Sequence, residues 1–239
     1  MSSVVPSYKN HRYPAEIIAH CVWLYFRFPL SLREVEEMML ERGVIVSYET
    51  VRRWCRKFGQ VYANSLRRRR PQTRDKWHLD EVFIKIGAVQ KHLWRAVDAD
   101  GNVLGILVQS RRDKAAARRF FRRLLTSTGQ VPRVVVTDKL ASYGAAHREV
   151  MPSVEHRSHK ELTNRAENSH QPTRQRERAM KGFRSVGGAQ RFVSAFTGIS
   201  PHFRTGRHLI TARRHRLEMT VRFTIWNQIT GAAGMPAAA

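Results

Sequence analysis

Apolar residues recur at Ile17, Ile18, Cys21, Val22, Leu24 and Tyr25, the spacing of one helical face, on a segment running from Pro14 to Phe28. A proline near the first turn suits that start, since its missing N–H has no partner there anyway. Ser31 followed by Glu34 is a capping-box pair, and Leu32, Val35, Met38 and Met39 supply the buried stripe of a second helix that Gly43 ends. Ser47 can cap a third helix, Tyr48 to Phe58, with Val51, Trp54 and Cys55 facing inward and Arg52, Arg53, Arg56 and Lys57 facing out. Three short helices, the last one basic, make a helix-turn-helix pattern. The bland alternative is a three-helix bundle with a solvated basic face.

Beyond Pro71 the period changes to that of strands. Trp77 to Ile86 alternates and is rich in β-branched and aromatic residues, Gly87 to Gln90 reads as a turn, and Lys91 to Val97 is a second strand ending at Asp98-Ala-Asp-Gly101. Val103 to Gln109 makes a third strand, and residues 113 to 125 form an amphipathic helix with Ala116, Phe120, Leu124 and Leu125 inside. The run Arg133 to Asp138 is apolar without alternation, as in a strand buried on both faces. A three-strand meander, a crossover helix and a parallel central strand are the topology of a ribonuclease H-like α/β fold, in which a mixed five-stranded sheet carries flanking helices. The expected division is a polar, unstructured lead at 1–12 and a helix-turn-helix domain at 13–66. A basic linker at 67–75, containing Arg67 to Arg70, leads to a catalytic domain at 76–200 and a helical basic extension at 201–239.

Charge sharpens the picture. Forty-three Lys and Arg against 19 Asp and Glu leave a net charge of +24 in 239 residues, far beyond what solubility needs. A polyanionic partner follows, and DNA suits it best, because neutralised phosphates release counterions whatever the base sequence. A ribosomal or nucleoid packing protein would share the charge without needing a catalytic site. With this balance the outward cations of the third helix read as a recognition surface for the major groove. Cys21 and Cys55 form no CxxC pair, so no disulfide framework or structural zinc is implied, and a reduced cytosol is the expected setting. The most apolar stretch, Cys21 to Phe26, is too short to span a membrane.

Within this frame three carboxylates carry candidate chemistry. Asp80 interrupts the first strand, where a charge without a task is costly. Asp138 ends the buried strand, at the carboxyl edge where ligands of open α/β sheets gather. Glu167 lies in a polar helical segment able to close over that edge. Three hard oxygen donors suit Mg²⁺ or Mn²⁺. Two such ions would activate a water or 3′-hydroxyl and steady the leaving oxygen in a phosphodiester displacement. His78 and Glu81 flank Asp80, but strand neighbours point to opposite faces, which sets them aside as ligands.

The blocks Trp77-His-Leu-Asp-Glu-Val-Phe-Ile, Thr137-Asp-Lys-Leu, Ser142-Tyr-Gly, Glu155-His-Arg and Asn164-Arg-Ala-Glu-Asn-Ser-His-Gln-Pro-Thr-Arg174 closely resemble those of bacterial insertion-sequence transposases of family six. That resemblance implies that Asp80, Asp138 and Glu167 are the metal ligands of a DDE active site. It also implies binding of terminal inverted repeats, cutting to free 3′-hydroxyls and joining to target DNA by a replicative route with cointegrates. The interval from Asp138 to Glu167 is shorter than the better-known family pattern, and a shortened loop near Ala145 to Ser153 accommodates it. Pro172 removes a helical donor, so a bend or helix restart is expected there.

Lys139, His170 and Arg174 are candidate phosphate contacts beside the triad, the last two sharing a helical face with Glu167. Joining two ends requires at least a dimer on DNA. Two other readings stay open: a catalytically silent DNA-binding regulator or domesticated transposase, and a nuclease that hydrolyses without joining.

Overall fold

The computed structural model describes residues 6–70, 74–158, 164–180, 182–205 and 209–232, with the backbone alone at 164–169. By packing, the chain falls into two compact units, one made of 1–70 with 194–239 and the other of 71–193.

In the helical unit, α1 (Ala15–Arg27), α2 (Leu32–Glu41) and α3 (Tyr48–Arg68) bury most of the stripes anticipated from their spacing, but Met38 of α2 is exposed and Ile17 and Tyr25 of α1 are only half-buried. The Ser31 and Glu34 capping box is formed, and the Ser47 hydroxyl caps α3 by accepting from the Thr50 N–H. Helix α3 is ten residues longer than the segment ending at Phe58, so Arg67 and Arg68, expected in a linker, are helical. The reason is local: Tyr62, Ala63 and Leu66 continue the inward stripe and no breaker intervenes. Arg67 is mostly buried and donates to the Thr197 hydroxyl. Residues 6–12, read as an unstructured lead, include Tyr8, whose hydroxyl donates to the Thr230 carbonyl at 2.5 Å and whose ring lies on Phe58. The C-terminal helix α8 (Ala212–Thr230) packs on α1 and α3. Its Trp226 and Phe223 join Trp23, Phe203 and Tyr62 in an aromatic core.

The other unit is built on a five-stranded sheet. It comprises β1 (Lys76–Ile86), β2 (Val89–Asp98), β3 (Val103–Gln109), β4 (Val134–Thr137) and β5 (Glu155–Ser158), in the order β3-β2-β1-β4-β5. Strands β1, β2 and β3 are antiparallel, whereas β4 runs parallel to β1 and β5 to β4. That is the ribonuclease H-like topology. Gly87 and Ala88, both at positive φ, close the β1–β2 hairpin in two residues. Val89 and Gln90 are therefore already paired, and β2 begins before Lys91. One sheet face carries α4 (Lys114–Thr128) and α5 (Ala141–Val150), whose Phe120, Phe121, Leu124 and Tyr143 meet Trp77, Leu79, Trp94 and Val135. Residues 145–150, expected in a shortened loop, complete α5. Helix α6 (Asn164–Ala179) packs against β1 and β2 and runs through Pro172 without a restart. Helix α7 (Val186–Ile199) follows.

Close helix contact makes a test. A Cβ on Gly198 would stand 2.5 Å from the Ala63 Cβ and 2.9 Å from its Cα, and a backbone atom cannot swing aside. Gly198→Ala is expected to lower stability by about 1–3 kcal/mol in a denaturant titration; an unchanged midpoint would mean that α3 and α7 do not touch there.

Candidate active site

The alternation of β1 divides the site between two sheet faces. Trp77 and Leu79 belong to the core under α4 and α5, so Glu81 follows them to that face and Asp80 lies on the other. The parallel register pairs His78 with Val136, and continuing it by two residues brings Asp80 level with Asp138. Strand β4 ends at Thr137, just before that row. The carboxylates of Asp80, Glu81 and Asp138 each offer an oxygen within 4.8 Å of the others. Asp80 and Asp138 thus converge as their strand placement suggested. Glu81, set aside because neighbours on a strand diverge, joins them just past the end of β4.

Asp138 is held from several directions. Its Oδ1 accepts the Leu140 N–H at 3.1 Å, and its carbonyl accepts the hydroxyls of Thr137 at 2.8 Å and Ser158 at 2.9 Å. The Thr137 hydroxyl also lies 2.9 Å from His156 Nε2, and the His156 ring stacks on buried His147 at 4.8 Å between centroids. Burial lowers the pKa of both imidazoles, so these rings are mainly neutral at pH 7. On the opposite face, His170 of α6 is 1% exposed and its Nε2 is 3.5 Å from Asp80 Oδ2. Burial, then the charges of Arg95 and Arg174, push its pKa well down, so it meets Asp80 as a neutral ring. Arg95 stands directly across from Asp80 on β2, is almost fully buried and donates to the Thr173 hydroxyl of α6 at 2.6 Å.

Two groups escaped the sequence reading. Arg112, from the loop between β3 and α4, donates to Glu81 and approaches Asp138 Oδ2 to 3.3 Å. Tyr143 of α5 is fully buried beside Glu81. Burial, reinforced by the Asp138 charge, raises the Glu81 pKa, while Tyr143 and Arg112 oppose the rise. Burial and Glu81 hold the Tyr143 phenol well above its ordinary range. The only available signal for Glu81 was its place beside Asp80; Arg112 had none, because its partners are distant in sequence.

Of the other anticipated residues, Lys139 is exposed next to Asp138, and Arg174 is exposed on α6. Glu167 lies in α6, its side chain outside the described residues. Arg52, Arg53, Arg56 and Lys57 are exposed along α3; Arg52 pairs with Glu49 at 3.0 Å and Lys57 meets His11 at 2.8 Å.

The family described as a DDE domain matches residues 74–206, the stretch containing all three expected ligands. The chain belongs to the DDE transposases of insertion-sequence family six. Its relatives include the transposase for the insertion sequence-like element IS431mec of Staphylococcus aureus (strain Mu50 / ATCC 700699). The two are 31% identical over 168 residues, which cover 68% of this chain and 75% of the relative. The transposase for insertion sequence element IS257 in transposon Tn4003 of Staphylococcus aureus is 30% identical with the same coverage. Among solved structures, a simian T-cell lymphotropic virus intasome in complex with PP2A regulatory subunit B56 gamma has a TM-score of 0.44 and 15% identity. That match covers 72% of this chain and 60% of that one. The fold of the transposase rests on its own strand order. Among the described residues, no helix is long and apolar enough to cross a membrane.

The Thr137 hydroxyl links the Asp138 backbone to His156, so Thr137→Val, nearly isosteric, leaves His156 Nε2 without that partner. Thermal unfolding of this transposase variant should report a loss of about 1–2 kcal/mol. Wild-type stability in T137V would show that the hydroxyl bonds contribute nothing.

Proposed function

We propose that this transposase binds the terminal inverted repeats of an insertion sequence, frees their 3′ ends and joins them to target DNA in a metal-dependent reaction, by a replicative route giving cointegrates. The observation that carries the reading is the convergence of Asp80 and Asp138 across the parallel β1–β4 pair in a chain of net charge +24.

The donor set fits two Mg²⁺ or Mn²⁺ ions, because clustered carboxylate oxygens are hard ligands. Asp80 and Asp138 would hold the ions, with Glu167 contributing from α6. When bound, the ions supply activation of a water or 3′-hydroxyl and stabilisation of the leaving oxygen. The chain itself positions the reactants. Thr137, Ser158 and Leu140 fix the Asp138 carboxylate and its backbone. Neutral His170 packs against Asp80 without adding a charge that would compete for it. Lys139 and Arg174, exposed beside the site, supply cations for flanking phosphates. The exposed arginines of α3 serve repeat recognition, and joining two ends makes the working complex at least a dimer on DNA. The bacterial cytoplasm, at the nucleoid, is the setting this activity requires.

Two experiments test this. Purified protein incubated with labelled terminal repeats, a supercoiled target and Mg²⁺ should produce joined products. Asp80→Asn, Asp138→Asn and Glu167→Gln should each lose about 1,000-fold or more in joining, a fall of roughly 4 kcal/mol in transition-state stabilisation, while still shifting repeat DNA in a gel. Full joining by any of the three removes that residue from the ligand set. Separately, Arg56→Gln should weaken repeat binding and flatten the slope of log affinity against log salt by about one unit. A slope equal to wild type would place Arg56 away from phosphates.

A further inference from the structure

Arg112 already spans two of the clustered carboxylates. Its Nε and Nη2 donate to Glu81 Oε1, and Nη2 lies 3.3 Å from Asp138 Oδ2. The Glu81 side chain is only 2% exposed, whereas that of Arg112 is 37% exposed. The Glu81 Oε2 oxygen is buried with no donor in good hydrogen-bonding geometry, although the Tyr143 phenol lies beside it. A buried carboxylate beside Asp80 and Asp138 needs a cation, and among the described residues the one ion-paired with Glu81 is Arg112. The loop that carries Arg112 is anchored at once by Asp113, whose carboxylate caps α4 by accepting the Ala116 N–H at 2.8 Å.

We propose that Arg112 and Glu81 form an internal counter-ion device on the metal site, with the guanidinium neutralising the carboxylate cluster, holding Asp138 in place and competing with incoming divalent ions. The inference rests on the metal reading given above. The planar fork of arginine suits this task, since it can reach two carboxylates at once. A divalent ion bound at Asp138 would bring two positive charges against the guanidinium, so the two cannot share the position without one yielding. Arg112 is thus a positioning residue that acts through Asp138 and sets how tightly the ions are taken up.

Calorimetric titration of the DNA-free, full-length protein with Mn²⁺ provides the test. Arg112→Gln should bind Mn²⁺ roughly tenfold more tightly than wild type, the scale on which one neighbouring charge shifts a carboxylate's affinity for a cation. Unchanged or weaker binding by R112Q overturns the proposal. Asp138→Asn separates the two ideas: if it binds Mn²⁺ like wild type, the metal site itself is wrong. If it binds poorly while R112Q matches wild type, only the counter-ion role fails. A measurement on the wild-type protein covers the case in which R112Q does not fold. The Arg112 Nε–H resonance, assigned by its absence in Arg112→Lys, should move when Mg²⁺ is added to saturation, and a resonance that stays in place overturns the proposal.

Discussion

Carboxylates that approach within 4.8 Å of one another repel unless a cation lies among them, and the sheet unit is organised around bringing them that close. The agent is the parallel pairing of β1 with β4. Strand β4, three valines and a threonine, is buried on both faces, so it sits beside β1 in the middle of the sheet, and its end delivers Asp138 to the row of Asp80. Removing water from strands that flank the site is what makes the clustered charge costly, and the same burial makes a resident or incoming cation worth binding. Arg112 supplies such a cation from within the chain.

The two faces of β1 divide the work. On the side of α4 and α5, Trp77 and Leu79 anchor the strand in a dense aromatic and aliphatic core, and Glu81 continues their row to meet Tyr143 and Arg112. On the side of α6, Asp80 meets a neutral, buried His170, with Arg95 directly across the ladder and fastened to Thr173. Each acidic neighbour therefore has its own electrostatic surroundings although the two are adjacent in sequence. The helical unit separates its tasks in another way. Tyr62, Trp23, Phe203 and Trp226 fill its interior, which leaves the arginines of α3 on the outside.

Period and punctuation revealed most elements, because they are local. The capping box at Ser31, the inward Val35 and Met39 of α2 and the limits of β3 could be read from a few adjacent residues. The convergence of Asp80 and Asp138 was legible for a related reason: an apolar run without alternation must be a central strand, and a central strand ending in an acid puts that acid at the sheet's carboxyl edge. The length of α3 was underestimated where basic residues masked a stripe that continues through Tyr62 and Leu66. The early start of β2 was missed because a two-residue turn needs positive φ at Ala88, which that side chain does not advertise.

What the sequence determined by itself was therefore the order of helices and strands as far as β4, the large positive charge, the family and two acids that meet across β1 and β4. Only the tertiary structure decided that Glu81 reaches the same cluster, that Arg112 is its counter-ion, that His170 is buried against Asp80, and that α8 returns to pack on α1 and α3. These contacts join residues far apart in the chain, or bring both faces of β1 together just past the end of β4. Their partners are set by which surfaces the packed sheet and helices bring together, and no local spacing encodes that.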